Sequence, residues 1–222
     1  YHLGVIFTYI WIIGITNSFN LLDNMNGLSA GIASIAAAFF GIIAYMNGQP
    51  MVCALSFAVA GSTLGFLKHN FPKANIFMGD AGSLIVGYLL STISILTSWK
   101  IDTWTISLAV PLLILGYPIF DTTLVTVIRL LQGRSVFDGG KDHSSHRLAL
   151  LGLKRFRAVL VIYGLCLFLG TAALLMTRMS HSTAIVFMGF VFLIMLGLGI
   201  RLSFVDTKRF GRKKGFYGTT KE

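Results

Sequence analysis

The sequence predicts an all-α protein, a polytopic transmembrane helical bundle of about seven spans, one of them broken. Three observations lead there. Hydrophobic residues make up 55% of the 222 and charged residues only 12%, against about 25% charged in soluble domains. Apolar runs near the roughly 20 residues that a helix needs to cross a bilayer recur along the chain. Lys and Arg fall almost entirely in alternate loops, the bias that orients membrane proteins.

Taken in order, residues 3–16 are apolar and short for a span, as for a helix that ends at a polar site. Asn17 to Gly27 follows, with four Asn and one Asp in eleven residues. Residues 28–46 form a span rich in Ala, Gly and Ile, whose small side chains allow close helix approach. Asn47-Gly48-Gln49-Pro50 is a tight turn, and 51–67 is the next span. A basic loop, Lys68 to Asn75, leads through Ile76–Ser83 into a span over 84–99. Lys100-Ile101-Asp102 is a small polar turn. Residues 104–131 then run apolar for 28 positions, about 42 Å as continuous helix. That is too long for one straight crossing, and Pro111 and Pro118 are expected to kink or break it. Gln132 to Lys154 is the longest polar loop. Spans at 156–177 and 183–202 are separated by Arg178-Met179-Ser180-His181. The chain thus divides into a transmembrane unit, 1–205, and a basic cytoplasmic tail, 206–222.

Lys and Arg outnumber Asp and Glu by 18 to 8. Placing the Asn-rich stretch in the cytoplasm puts the 68–83 loop, the 132–154 loop and the tail there too. Sixteen of the 18 basic residues then lie inside, with only Lys100 and Arg178 outside, which supports that orientation. The expected location is the plasma (inner) membrane, multi-pass, with the site cytoplasmic. Scattered over short loops, these charges suit anionic lipids and do not suggest nucleic acid. Cys53 and Cys166 lie inside apolar runs and read as packing residues, without a disulfide. The chain opens at Tyr1 without Met or a signal peptide, which reads as a missing N-terminal part.

Three polar constellations share the cytoplasmic face. In the first, Asn17, Asn20, Asp23, Asn24 and Asn26 concentrate oxygens that would be costly in hydrocarbon and that suit a hard cation and a polar ligand. Asn24 reads as a loop residue only. In the second, Asp80 sits between Gly79 and Gly82, which allow a tight backbone and close ligand approach. A helix beginning near Ser83 would turn its positive dipole end here, favouring a phosphate. Asp80 reads equally as a plain N-cap.

The third runs from Gly133 to Leu148. His143 and His146 are three apart, so one helical turn places them on one face. Zinc would need a third nitrogen or sulfur ligand, and none lies nearby in the sequence. Beside Arg147, Ser144 and Ser145 the pair reads as an anion cradle, whereas Lys141 and Lys154 read as solvated loop charges. Asp121 is the one acidic residue inside a long apolar run. It is either functional or hydrogen-bonded to Thr122, Thr123 or broken-helix backbone near Pro118.

Four motifs carry a resemblance that covers essentially the whole chain. They are Asn17-x-x-Asn20-Leu-x-Asp23-x-x-Asn26-Gly27-Leu28; Phe77-Met78-Gly79-Asp80-x-Gly82-Ser83; Pro118-x-x-Asp121-Thr122; and Gly133-Arg134-Ser135-x-Phe137 leading to Asp142-His143-x-x-His146-Arg147-Leu148. In this order and on one face, they make the chain similar to the polyprenyl-phosphate N-acetylhexosamine-1-phosphate transferases of glycosyltransferase family 4. The resemblance implies a membrane enzyme that moves a sugar-1-phosphate from a UDP-N-acetylhexosamine to polyprenyl (undecaprenyl) phosphate, releasing UMP. It implies Mg2+, with Mn2+ as a substitute, held by Asn20 and Asp80. It implies catalytic roles for Asp80, Asp23, His143 and His146, and substrate contacts from Asn17, Asn26, Arg134, Arg147 and Asp121. A homodimer is compatible with it.

Two departures from the family pattern matter. The family carries an adjacent Asp pair on an earlier loop, and this sequence has no adjacent acidic pair. The family's pentapeptide transferases carry consecutive His in the last loop and an Asp at the position of Asn26. His143-Ser144-Ser145-His146 and Asn26 therefore point toward the GlcNAc-1-phosphate branch, with UDP-MurNAc-pentapeptide as the alternative donor. A transporter or flippase, or a non-catalytic lipid-binding remnant, are the readings from other classes.

Overall fold

The computed structural model describes residues 2–98, 104–136, 140 and 142–205. The turn at 100–102, Phe137, Lys141 and the 206–222 tail lie outside them. Among the described residues every regular element is an α-helix: α1 His2–Leu22, α2 Leu28–Met46, α3 Pro50–Asn70, α4 Gly79–Ser98, α5 Trp104–Ile114, α6 Gly116–Leu131, α7 Ser144–Leu150, α8 Arg155–Met176 and α9 His181–Ser203. Six of these are long and apolar enough to cross a membrane singly, and α5 with α6, bent against each other, reach that length and apolarity only as a pair. The protein is an integral membrane bundle of the expected class.

Three boundaries differ from the sequence reading. Helix α1 does not stop at residue 16 but runs on to Leu22, because Phe19 and Leu22 are buried and continue its apolar face. Asn17 and Asn20 therefore ride on helix, and only residues 23–27 form the loop. Helix α4 starts at Gly79, not near Ser83, so Asp80 lies within its first turn and is not its N-cap. The long apolar run breaks between the two prolines, at Leu115, with a bend of 73°. Pro111 stays inside α5 and Pro118 sits in the first turn of α6, where a missing N–H is tolerated.

Helix α2 is the centre, packed against α3, α4 and α8. Its Ala33, Ala36, Ala37 and Ala44 are buried, and Gly31 and Gly41 receive the Tyr163 and Phe57 rings. Polar side chains inside the bundle are paired across helices. Trp11 Nε1 donates to Ser94 Oγ at 2.9 Å, Thr122 Oγ1 to Ser18 Oγ at 3.0 Å, and Ser34 and Thr63 share a hydrogen bond of 2.7 Å. Such bonds hold neighbouring helices in register where packing against lipid cannot.

Helices α1 and α4 make the closest backbone approach that bears on the site. A Cβ built on Gly87 would stand 2.8 Å from the Thr16 Cα. Only hydrogen fits there, and relief would need movement of backbone. Gly87→Val should therefore destabilise the protein by about 1–3 kcal/mol through overpacking, seen as a lowered Tm in detergent. An unchanged Tm would mean that the two helices are not packed this closely.

Candidate active site

α7 packs against α6, α8 and α9 at the end of the bundle where α1 and α3 finish and α2 and α4 begin. The hydrogen bonds described next join these ends directly, so the three polar constellations do converge.

The first cluster follows from the α1–α4 contact. Asn20, on the last turn of α1, donates its Nδ2 to Asp80 Oδ1 at 3.0 Å and to Ser83 Oγ at 3.1 Å. Ser83 Oγ in turn donates to Gly79 O at 3.0 Å. Asp23, just past α1, accepts the backbone N–H of Gly79. Two carboxylates, Asp23 and Asp80, therefore share the start of α4, where the helix dipole favours negative charge. Burial raises the Asp23 carboxyl above the ordinary range; the Gly79 N–H opposes this, and the Asp80 charge adds to it. Ionising Asp23 beside Asp80 thus costs the folded protein stability, and a cation between them would offset the cost.

Asn20 faces Asp80 through its Nδ2 and so orients that carboxylate, which leaves its Oδ1 as the atom that could meet a cation. Asp23 is the second carboxylate beside Asp80. Asn17 is exposed one turn below Asn20. Asn26 is also exposed, its Nδ2 3.5 Å from Pro72 O.

Asn70 is a residue the sequence reading passed over. It is buried at the end of α3, accepts the Gly27 N–H at 2.6 Å and donates to Ile76 O at 2.7 Å. It thereby clips the Asn-rich loop to the loop that delivers Asp80. Gly27 turns with φ +77° against the Phe71 ring, and its carbonyl accepts from Tyr163 Oη at 2.5 Å. The available signal was a lone Asn at the end of an apolar run, directly before Phe71-Pro72.

The second cluster is built around α7. Seven residues cannot hold a helix in water by themselves, and α7 is fixed from four sides. Asp121 of α6, fully buried, accepts the Ser144 backbone N–H at Oδ1 (2.6 Å) and faces His143 Nδ1 with Oδ2 (2.8 Å). Its partners are His143 and the Ser144 N–H and not Thr122 or Thr123, so it holds α7. Tyr117 Oη pairs with Ser144 Oγ at 2.8 Å. Ser145 Oγ donates to Asn24 Oδ1 at 2.9 Å, and Asn24 Nδ2 donates to Leu21 O at 2.8 Å. Asn24 is therefore the joint between the two clusters and not merely a loop residue.

Arg147 does not act as expected. It is 1% exposed, the largest fully buried side chain among the described residues. Its Nε donates to Asp142 O at 2.7 Å, and its Nη1 to Leu202 O at 3.1 Å and Val205 O at 2.9 Å. These are carbonyls at the C-terminal end of α9, where a cation is favoured. Arg147 ties α7 to the last span and has no donor turned to a substrate in these contacts.

Asp142, beside His143, is held by Arg129 through two bonds, Nε to Oδ2 at 2.8 Å and Nη2 to Oδ1 at 2.7 Å. Burial opposes its charge, but the Arg129 hydrogen bonds and positive charge prevail and hold its carboxyl below the ordinary range. Arg134 is exposed, 3.6 Å from Asp142 Oδ2 and 3.4 Å from Gln132 Oε1. It remains available to an anion. His143 and His146 are nearly buried, at 5% and 6% exposure. Among the described residues no group of three or more His, Cys, Asp or Glu converges on a point, so zinc finds no further ligand beside the His pair.

Residues 1–98, which hold the Asn20–Asp23–Asp80 cluster, match the model of glycosyl transferase family 4. A relative from Bacillus subtilis (strain 168), named "Probable undecaprenyl-phosphate N-acetylglucosaminyl 1-phosphate transferase", is 44% identical over 156 residues. The chain belongs to the glycosyl transferase family 4 superfamily. The Bacillus match covers 70% of this chain and 43% of the relative. A phospho-N-acetylmuramoyl-pentapeptide-transferase from Levilactobacillus brevis is 34% identical, over 72% of this chain and 47% of the relative. A decaprenyl-phosphate N-acetylglucosaminephosphotransferase from Mycobacterium leprae is also 34% identical, over 72% and 45%. The chain spans less than half the length of these family 4 relatives.

Arg147 offers a direct check on the second cluster. Arg147→Met keeps the volume and removes every donor, so the Asp142, Leu202 and Val205 carbonyls lose these bonds. A loss on the order of 1–3 kcal/mol is expected, with faster proteolysis of the 132–154 segment in detergent. A variant with unchanged Tm and a raised substrate KM would restore the substrate-contact reading.

Proposed function

We propose that the protein transfers N-acetylhexosamine-1-phosphate, specifically GlcNAc-1-phosphate, from a UDP-sugar to a polyprenyl phosphate for cell-envelope polysaccharide synthesis. The observation that carries this reading is the pairing of Asp23 and Asp80 at the start of α4, joined through Asn24 and Ser145 to the His143 segment. A phosphoryl-transfer site needs charge stabilisation at one membrane face, and this cluster supplies it beside spans that suit a lipid substrate. The 44% identical relative from Bacillus carries GlcNAc-1-phosphate transfer in its name, and Asn26 with His143-Ser144-Ser145-His146 supports the same branch.

In the proposed reaction an oxygen of the lipid phosphate attacks the sugar-bound phosphorus of the UDP-sugar. The new O–P bond forms as the bond from that phosphorus to the bridging oxygen breaks, and UMP leaves with the electron pair. Mg2+ fits the donor set: it takes one or two carboxylates and completes its shell with waters and substrate phosphates. Asp80 and Asp23 would hold it, and when bound it would neutralise the diphosphate. Asn20 and Ser83 keep Asp80 aimed, while the Gly79 N–H keeps Asp23 at the helix start. Arg134, on the exposed rim, would meet the outer phosphate or sugar. Asn17 and Asn26, also exposed, would contact the uridine or the acetamido sugar.

The second reading, UDP-MurNAc-pentapeptide as donor, is favoured by the 34% identical Levilactobacillus relative. The two donors are separated by assaying each with undecaprenyl phosphate. A transporter fits less well, because the polar groups gather at one end of the bundle and do not line a path across it.

Membranes from cells producing the protein should release UMP from UDP-GlcNAc in a polyprenyl-phosphate- and Mg2+-dependent way. Asp80→Asn should lower kcat by about 10^2-fold or more, as loss of a key electrostatic group does. Full turnover by Asp80→Asn, or flux of substrate across vesicles without UMP, would overturn the reading. Asp23 gives a second test without turnover. Because its folded carboxyl is raised, the cost of ionising it is absent at low pH and grows as pH rises through the folded value. At pH 7.5 in EDTA, Asp23→Asn should melt at or above wild type, whereas Mg2+ should raise the Tm of wild type and not that of the variant. Equal Mg2+ shifts in both would remove Asp23 from the cation site.

A further inference from the structure

We infer that Asp121 is a positioning residue that fixes the tautomer of His143, keeping the proton on Nδ1 and offering Nε2 to the reaction. The inference rests on the proposed reading in one respect, that His143 belongs to the transfer site. The rest follows from three contacts.

Asp121 is fully buried in α6. Its Oδ1 lies 2.6 Å from the Ser144 backbone nitrogen, a group that can only donate. Its Oδ2 lies 2.8 Å from His143 Nδ1. The positive charge of Arg147 acts on the same carboxylate, and Tyr117 beside it spends its hydroxyl on Ser144 Oγ. A carboxylate so placed accepts at both oxygens, so the hydrogen between Oδ2 and Nδ1 belongs to the imidazole. In neutral His143 the lone pair is then on Nε2, the only ring nitrogen free to accept or return a proton. The backbone contact matters as much as the imidazole contact. By holding the Ser144 N–H, Asp121 sets where α7 starts, and His143 is the residue just before that start. One side chain thus sets both the place of the ring and the position of its proton.

The arrangement makes an unusual demand on substitution. In Asp121→Asn the shape is kept, but the amide has one acceptor and one donor end. Its oxygen must stay on the Ser144 N–H, because two donors cannot face each other there. Its NH2 then points at His143 Nδ1 and forces the proton to Nε2. Asp121→Asn is therefore a near-isosteric inversion of the His143 tautomer, with α7 still seated.

The test uses the protein in detergent or nanodiscs with 15N-labelled histidine. The His143 ring resonances are identified as those lost in His143→Gln. In the wild type, His143 should show a protonated Nδ1 and a pyridine-type Nε2; in Asp121→Asn the two should exchange. Turnover by Asp121→Asn should fall on the order of 10^2- to 10^4-fold in kcat, the range for a mis-set catalytic histidine, with the UDP-sugar KM within a few-fold of wild type and Tm little changed. A wild-type His143 protonated at Nε2 overturns the proposal without any variant. So does an Asp121→Asn protein that keeps wild-type kcat while His143→Gln loses it. If the tautomer inverts while His143→Gln and Asp121→Asn both keep full kcat, the positioning contact stands and His143 is removed from the reaction; that outcome separates failure of the functional reading from failure of the contact.

Discussion

The organisation of the site depends on a seven-residue helix that cannot hold itself. α7 has too few turns to be stable alone, and it carries His143 and His146 at the membrane end of the bundle. Its place is set from outside, by Asp121 and Tyr117 on α6, Asn24 after α1, and the carbonyls at the end of α9 that Arg147 binds. Each of these polar bonds is buried or part-buried, and a buried polar group left without its bond is costly. The geometry is therefore over-determined: α7 cannot shift without breaking bonds to several spans. The part of the long polar loop from His143 to Leu150 is thereby fixed to the bundle end.

The other half of the site rests on steric closeness. At Gly87 the absence of a side chain lets α1 and α4 approach to backbone contact. That approach brings Asn20 onto Asp80 and Ser83, and the turn after α1 brings Asp23 to the Gly79 N–H. Two carboxylates at one helix start repel, and burial of Asp23 adds to the tension. Natural sites carry such tension where a ligand relieves it. Asn70 and Tyr163 brace the loop from behind through Gly27, so the tension does not spread it apart.

Much of this was legible in the sequence for simple reasons. Helical membrane proteins hide little about class: apolar length reports candidate spans without knowledge of packing. The clusters around Asn20, Asp80 and His143 also stood out, because polar residues between spans are few and cannot be filler. What failed was local. Asn24 looked idle, since its partner Ser145 lies 121 residues away. Arg147 looked like an anion contact, since a guanidinium beside two histidines reads the same whether it faces a phosphate or helix carbonyls. The start of α4 was placed late because Phe77 to Gly82 lacks an apolar stripe, yet Gly79 and Asp80 are helical once Asn20 and Asp23 engage them.

The sequence by itself determined the helical membrane class, the apolar spans and the short list of polar residues that gather at one end of the bundle. These follow from composition and spacing, which act through solvent and need no partner. Only the tertiary structure decided which of those residues face one another. It set both Asn20 and Asp23 beside Asp80, turned Arg147 onto the end of α9, and gave Asp121 to His143 and Ser144. Hydrogen bonds are short and directional, so their partners depend on how helices distant in the chain are packed, and no pattern along one strand of sequence contains that distance.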